Sequence, residues 1–169
     1  PFRVQTITLE RIFVDKLFAA EAYVRKAEIK SKAFEAAKHI YDLAVMGRLT
    51  KISSLINNEE ALDKLLDIRM KEEMGRLDGV PGLTPKEFTF FEETKDNKLI
   101  ISAYETMQKQ YVLRESDRIP YEAALEALAN IQQALTKNAA WNSAMAPDAE
   151  SYNEALSEQE ISNFGGSDR

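Results

Sequence analysis

Lys16 is the residue whose type and position most invite chemistry. On a helical wheel drawn through residues 9–24 it falls between Leu9, Phe13, Ala20 and Tyr23, near the centre of an apolar stripe. A lysine there either snorkels its ammonium out to water or is retained for a charged partner. Its neighbour Asp15 points to a different side of the helix and does not neutralise it. A second cluster follows in Lys38-His39-Ile40-Tyr41-Asp42-Leu43. Asp42 borders an apolar face there, with Lys38 one turn earlier and His39 three residues earlier. Lys38 and Asp42 could simply pair across one helical turn at the surface, which stabilises little. His39, the only histidine, is either a structural residue or an acid–base group.

The charge pattern says where an anion would bind. Residues 1–51 hold ten Lys/Arg against six Asp/Glu, whereas the remainder holds twelve against twenty-two. A nucleotide or nucleic acid should therefore meet the N-terminal part of this otherwise acidic chain. The absence of cysteine excludes disulfides and thiolate metal sites. Phosphate loops of P-loop or Rossmann spacing are missing, as are Asp-x-Asp, His-Glu-x-x-His and Gly-x-Ser-x-Gly. Glu72-Glu73 and Glu92-Glu93 are expected on solvated polar faces. Without an apolar run of membrane-spanning length or a signal peptide, the expected location is cytoplasmic.

The elements that must position these residues are mainly helical. Phe2 to Ile7 alternates and is rich in β-formers, so one short strand is expected, belonging to a sheet whose other strands lie elsewhere. Thr8 suits the cap of a helix over Leu9–Val24, and 26–32 either continues it or turns. A second helix over Ala33–Met46 places Phe34, Ala37, Tyr41, Ala44 and Val45 on one stripe and ends at Gly47. Further helices are expected at Ile52–Ile56 and, opened by Asn57-Asn58-Glu59-Glu60 in a form close to a capping box, up to about Met74. After a Gly/Pro-rich loop over Gly75–Pro85, Thr84-Pro85-Lys86-Glu87 should open a short aromatic helix containing Phe88, Phe90 and Phe91. Leu99–Leu113 and Pro120 to about Ala140 complete the set, the last with a stripe of Ala124, Leu128, Ile131 and Leu135. The expected organisation is a residual strand at 1–8, a helical bundle-like domain at 9–142, and a polar tail at 143–169 with one weak helix.

Three segments, in this order, resemble AbiEii/AbiGii-type toxin nucleotidyltransferases. The run Val4 to Ala19, with Leu9-Glu10-Arg11 and Asp15-Lys16-Leu17-Phe18-Ala19, is similar to that family's Leu-Glu-Arg and acid-Lys-Leu-x-Ala segment. Lys38 to Leu43 resembles its later Arg-His-x-Tyr-Asp-Leu segment, with Lys38 where relatives often carry Arg. The Lys keeps the charge and loses the bidentate fork. Ala103-Tyr104-Glu105-Thr106-Met107 and the helix after Pro120 resemble the family's C-terminal region, so the likeness covers about residues 2–137.

The resemblance implies that Lys16 contacts a nucleoside triphosphate, with Lys38 and His39 beside it in nucleotide binding, and that Asp42 aids catalysis or holds the site together. A lysine at the edge of a dry pocket suits this, because neutralising the transferring phosphoryl group dominates such reactions. The family's Gly-Ser phosphate motif and paired magnesium-binding acids do not occur in this sequence. With Pro1 rather than Met at the start, the expectation is a C-terminal half whose nucleotidyltransferase palm lies in a missing N-terminal part. That half alone should be inactive and hold no metal itself. The complete bacterial abortive-infection protein, a phage-defence toxin, would use Mg2+ and NTP to modify an RNA (tRNA included) or protein acceptor. A cognate antitoxin is the implied partner, and no membrane is involved. The rival expectation is a non-enzymatic helical interaction or scaffold module, with Lys16 exposed and Asp42 on an unrelated surface.

Overall fold

A computed structural model describes residues 6–73, 84–139 and 141. Among them are seven α-helices and no strand: α1 (Leu9–Val24), α2 (Lys30–Met46), α3 (Thr50–Ile56), α4 (Glu59–Glu73), α5 (Phe90–Glu93), α6 (Lys98–Tyr111) and α7 (Tyr121–Thr136). Single 3-10 turns lie at Pro85–Glu87 and Glu115–Asp117. Most of the strand expected at Phe2–Ile7 lies outside the described residues, as do the loop at 74–83 and the tail at 143–169. Thr6 and Ile7 themselves have no regular structure.

The helix starts follow local chemistry. Thr8 Oγ1 accepts the Arg11 N–H at 3.3 Å and opens α1. Asn58 accepts from Ala61 at 3.1 Å before α4, and Asn97 accepts from Leu99 and Ile100 before α6. At Thr84, the Glu87 carboxylate takes both the backbone N–H (2.8 Å) and the hydroxyl (2.7 Å). The polar stretch after α1 is a turn, because Arg25, Lys26 and Ala27 bond back to carbonyls of α1 before α2 begins at Lys30.

α2 is the central helix, packed along α1 and α6 and against α7, while α1 also meets α3, α4 and α5. The core gathers Phe13, Leu17, Ile40, Leu43, Ile52, Leu62, Phe90, Ile100, Tyr104 and Leu128. Each large apolar side chain so enclosed contributes about 1.5–3 kcal/mol through removal from water. The stripes are rotated from those read off the wheel. On α1 the buried face includes Val14, Leu17, Phe18 and Glu21, with Leu9, Ile12 and Tyr23 on its margin. On α2 it is Ala33, Ala36, Ala37, Ile40, Leu43, Ala44 and Met46, with Tyr41 half-buried and Val45 exposed. Both helices pack on several neighbours at once, so their enclosed arcs are wider and differently centred than one stripe suggests.

Gly47 does end α2, but in right-handed geometry (φ −59°) rather than the left-handed turn that usually selects glycine. Its reason is space: a Cβ there would sit 2.9 Å from Ile131 Cδ1 on α7.

Candidate active site

Two turns of α2, the flank of α1 and the segment leaving α6 enclose a solvent-open concavity of about 610 Å³. Lys16 enters from α1, and Glu35, Lys38, His39, Tyr41 and Asp42 enter from α2. Met107, Tyr111, Leu113, Arg114 and Asp117 close the opposite side. The four residues singled out from sequence, Lys16, Lys38, His39 and Asp42, therefore line one space.

Lys16 sits on the flank of the buried face of α1 and not at its centre, with 28% of its side chain exposed. Its ammonium reaches Asp42 at 2.5 Å, across from α1 to α2. The rival expectation, with Lys16 exposed and Asp42 on an unrelated surface, does not describe this geometry. Asp15 does turn away from Lys16, toward Arg11 (3.1 Å) and Arg69 (3.0 Å).

The one-turn pair between Lys38 and Asp42 does not form. Lys38 instead bonds Glu35 at 2.7 Å and lies 5.8 Å from the Phe34 ring and 5.9 Å from the Tyr111 ring. The close approach of α1 gives Asp42 a better partner in Lys16, and Lys38 leans back over the aromatic pair. Tyr41 donates its hydroxyl to the Asp117 carbonyl at 2.9 Å, tying α2 to the segment after α6.

His39 is half-buried and stacks on Tyr23 at 5.3 Å. Its Nδ1 is enclosed and has no hydrogen-bond partner among the described residues. Burial, reinforced by the nearby Lys16 charge, pushes the imidazole down to about 4, so it is neutral at neutral pH. A neutral, partly enclosed imidazole next to a lysine offers a ring face and one lone pair rather than a charge.

The charged residues most deeply enclosed were not singled out from sequence. Glu21 on α1 accepts the backbone N–H groups of Thr89 (2.9 Å) and Phe90 (2.9 Å) and the Arg25 guanidinium (2.6 Å), fastening α5 to α1. Arg69 on α4, 2% exposed, joins Asp15 to Glu73 (2.6 Å) and lies 5.1 Å from the Phe18 ring. Glu73 is thus buried in an ion pair and does not merely solvate a polar face. The available signal was a glutamate one turn after Leu17 on the apolar face of α1. Arg69 gave none, since α4 is polar overall and long arginine stems hide easily.

A model of the nucleotidyl transferase AbiEii toxin family, of the type IV toxin–antitoxin systems, matches residues 1–137. The chain belongs to the AbiEii family. The match takes in all seven helices and stops one residue after α7. No curated protein and no solved structure matches the chain. AbiEii toxins are nucleotidyl transferases, a chemistry that consumes a nucleoside triphosphate, and type IV systems set a toxin against a cognate antitoxin. No described helix is long and apolar enough to cross a membrane.

Proposed function

We propose that the concavity is the triphosphate-facing wall of a nucleotidyl-transfer site and that Lys16 is its phosphate contact. The observation that carries this is the convergence of Lys16, Asp42, Lys38 and His39 on one space in an AbiEii chain. In the transfer, an acceptor hydroxyl gives up its proton to solvent as its oxygen attacks the α-phosphorus of a nucleoside triphosphate. The α–β P–O bond breaks, and pyrophosphate leaves with the electron pair. Lys16 binds the phosphate oxygens as a compact point charge and offsets charge on the departing group. Asp42 is a positioning residue, holding the ammonium against the α2 wall. Lys38 adds a second cation, and His39 supplies an uncharged flank beside Lys16. The acceptor is an RNA or a protein, and the domain acts in the cytoplasm with a cognate antitoxin as partner.

Magnesium, implied by the resemblance, does not fit the acids present here. Asp42 is taken by Lys16 and Glu35 by Lys38, and no three His, Cys, Asp or Glu converge among the described residues. On this reading residues 9–142 are the helical half of the enzyme, and a palm carrying the acid pair completes it. Robust, metal-dependent labelling of an acceptor by this chain alone would contradict that division.

The test of the site is calorimetric titration of ATP and inorganic tripolyphosphate into wild type and Lys16→Met. Loss of Lys16 should weaken both about tenfold or more, the effect of removing one charge-assisted phosphate contact. Unchanged affinities would overturn the assignment.

A further inference from the structure

We propose that Tyr111, at the rim of the concavity, is a stacking platform for an unpaired nucleobase, with Leu113 as its apolar border and Lys38 as its cationic one. The inference rests on the reading of the concavity as a nucleotide site and adds the part of the ligand that Lys16 does not address.

Tyr111 is the last residue of α6, and its side chain is largely in water at 62% exposure. It nevertheless does not hang free. Phe34 of α2 supports it at 5.9 Å with the rings inclined by 56°, and Lys38 Nζ lies 5.9 Å from its centroid. Leu113, two residues on, is 93% exposed. Single surface tyrosines or leucines need no explanation. These two are different in that both border the same space as Lys16, Lys38 and Arg114. An exposed ring braced from behind, beside cations that can meet ribose-linked phosphates, is the arrangement by which proteins bind bases without reading them. A tyrosine, with only two side-chain torsions, also loses little conformational entropy on binding. The volume of about 610 Å³ falls in the range of small-molecule sites.

The base has two sources: the nucleotide whose phosphates meet Lys16, or the exposed end of an RNA acceptor. The experiment separates them. Tripolyphosphate, ATP, CTP and a short single-stranded oligo(A) RNA are titrated into wild type, Tyr111→Ala, Tyr111→Phe and Lys16→Met, with thermal melts confirming that each variant folds. Tyr111→Ala should weaken ATP or oligo(A) by about fivefold or more, the scale of one base–aromatic stack. Tyr111→Phe should bind as wild type does, and tripolyphosphate should not distinguish the three. If the affected ligand is ATP, it should lose more than CTP, because a purine presents the larger face. A loss for ATP assigns the platform to the bound nucleotide, and a loss confined to oligo(A) assigns it to the acceptor. If neither changes while Lys16→Met still weakens ATP and tripolyphosphate, the platform is overturned and the phosphate site stands. If Lys16→Met also changes nothing, or wild type binds neither ATP nor oligo(A), both readings fall.

Discussion

Lys16 and Asp42 meet at 2.5 Å between α1 and α2, on the wall of the concavity of about 610 Å³, with 28% and 38% of their side chains exposed. A pair so open to water and salt contributes below about 1 kcal/mol to folding. Its geometric effect is larger, since a lysine stem that could swing freely is held against α2.

The two partners should therefore separate in experiment. Lys16→Met and Asp42→Asn are each expected to lower stability by less than about 1 kcal/mol in urea denaturation. Lys16→Met should lose tripolyphosphate binding, whereas Asp42→Asn should keep it within roughly threefold, because removing a negative neighbour offsets the looser lysine. Equal losses from both variants would mean that Asp42 itself contacts the ligand.

Glu21 makes a contrasting case. Its fully buried carboxylate satisfies Thr89 and Phe90 N–H groups that no other described residue accepts. Glu21→Ala strands those donors and should cost about 2–4 kcal/mol. Glu21→Gln retains one acceptor oxygen and should cost about half as much. Denaturant midpoints with unchanged slopes would measure this. A Glu21→Ala protein as stable as wild type would show that α5 is not fastened through this residue.

The start of α1 was legible because Thr8 caps it with short-range chemistry, whereas Thr84 with Glu87 closes only a 3-10 turn and leaves Phe88 outside α5, and the Asn97 cap of α6 was not read from sequence. The faces were less so. The centre of the α1 stripe shifts from Lys16 toward Leu17 and Glu21 because α2, α3, α4 and α5 all press on it, and no wheel contains that information. Lys16 and Asp42 could be singled out by type and position, but their pairing depends on how closely two helices approach. Sequence periodicity instead offered Lys38 as the partner of Asp42, and α1 displaces it. Tyr111 carried no signal at all, since an aromatic at a helix end is unremarkable until its neighbours across space are known.

Gly47 tests packing rather than conformation. Its φ of −59° suits any residue, so Gly47→Ala carries no backbone strain, and its cost lies in tight contacts, the closest with Ile131 Cδ1 at 2.9 Å, beside Ile131 Cγ1 at 3.2 Å and the Leu43 carbonyl oxygen at 3.3 Å. The expected loss is about 1 kcal/mol, typical of mild overpacking. Ile131→Val deletes that methyl, so the double variant should be clearly more stable than the sum of the single effects predicts. Strict additivity would place the cost elsewhere.

His39 should make stability depend on pH in a specific direction. Its imidazole titrates near 4 in the folded chain against about 6.5 when unfolded, because burial and Lys16 disfavour the charged ring. Lys38 acts in the same sense, Asp42 and Glu35 oppose it, and Tyr23 covers one face. Between those two values the unfolded chain holds the extra proton, so stability is fully present above about 6.5 and is lost as pH falls toward 4. The loss attributable to His39 is on the order of 3 kcal/mol. His39→Gln should flatten that part of the curve. As the only histidine, it gives a single ring resonance by NMR, so its titration can be followed directly. Tripolyphosphate bound at Lys16 should move that titration upward by cancelling the lysine charge. A resonance titrating near 6.5, indifferent to the anion, would show that the ring is neither enclosed nor adjacent to the phosphate site.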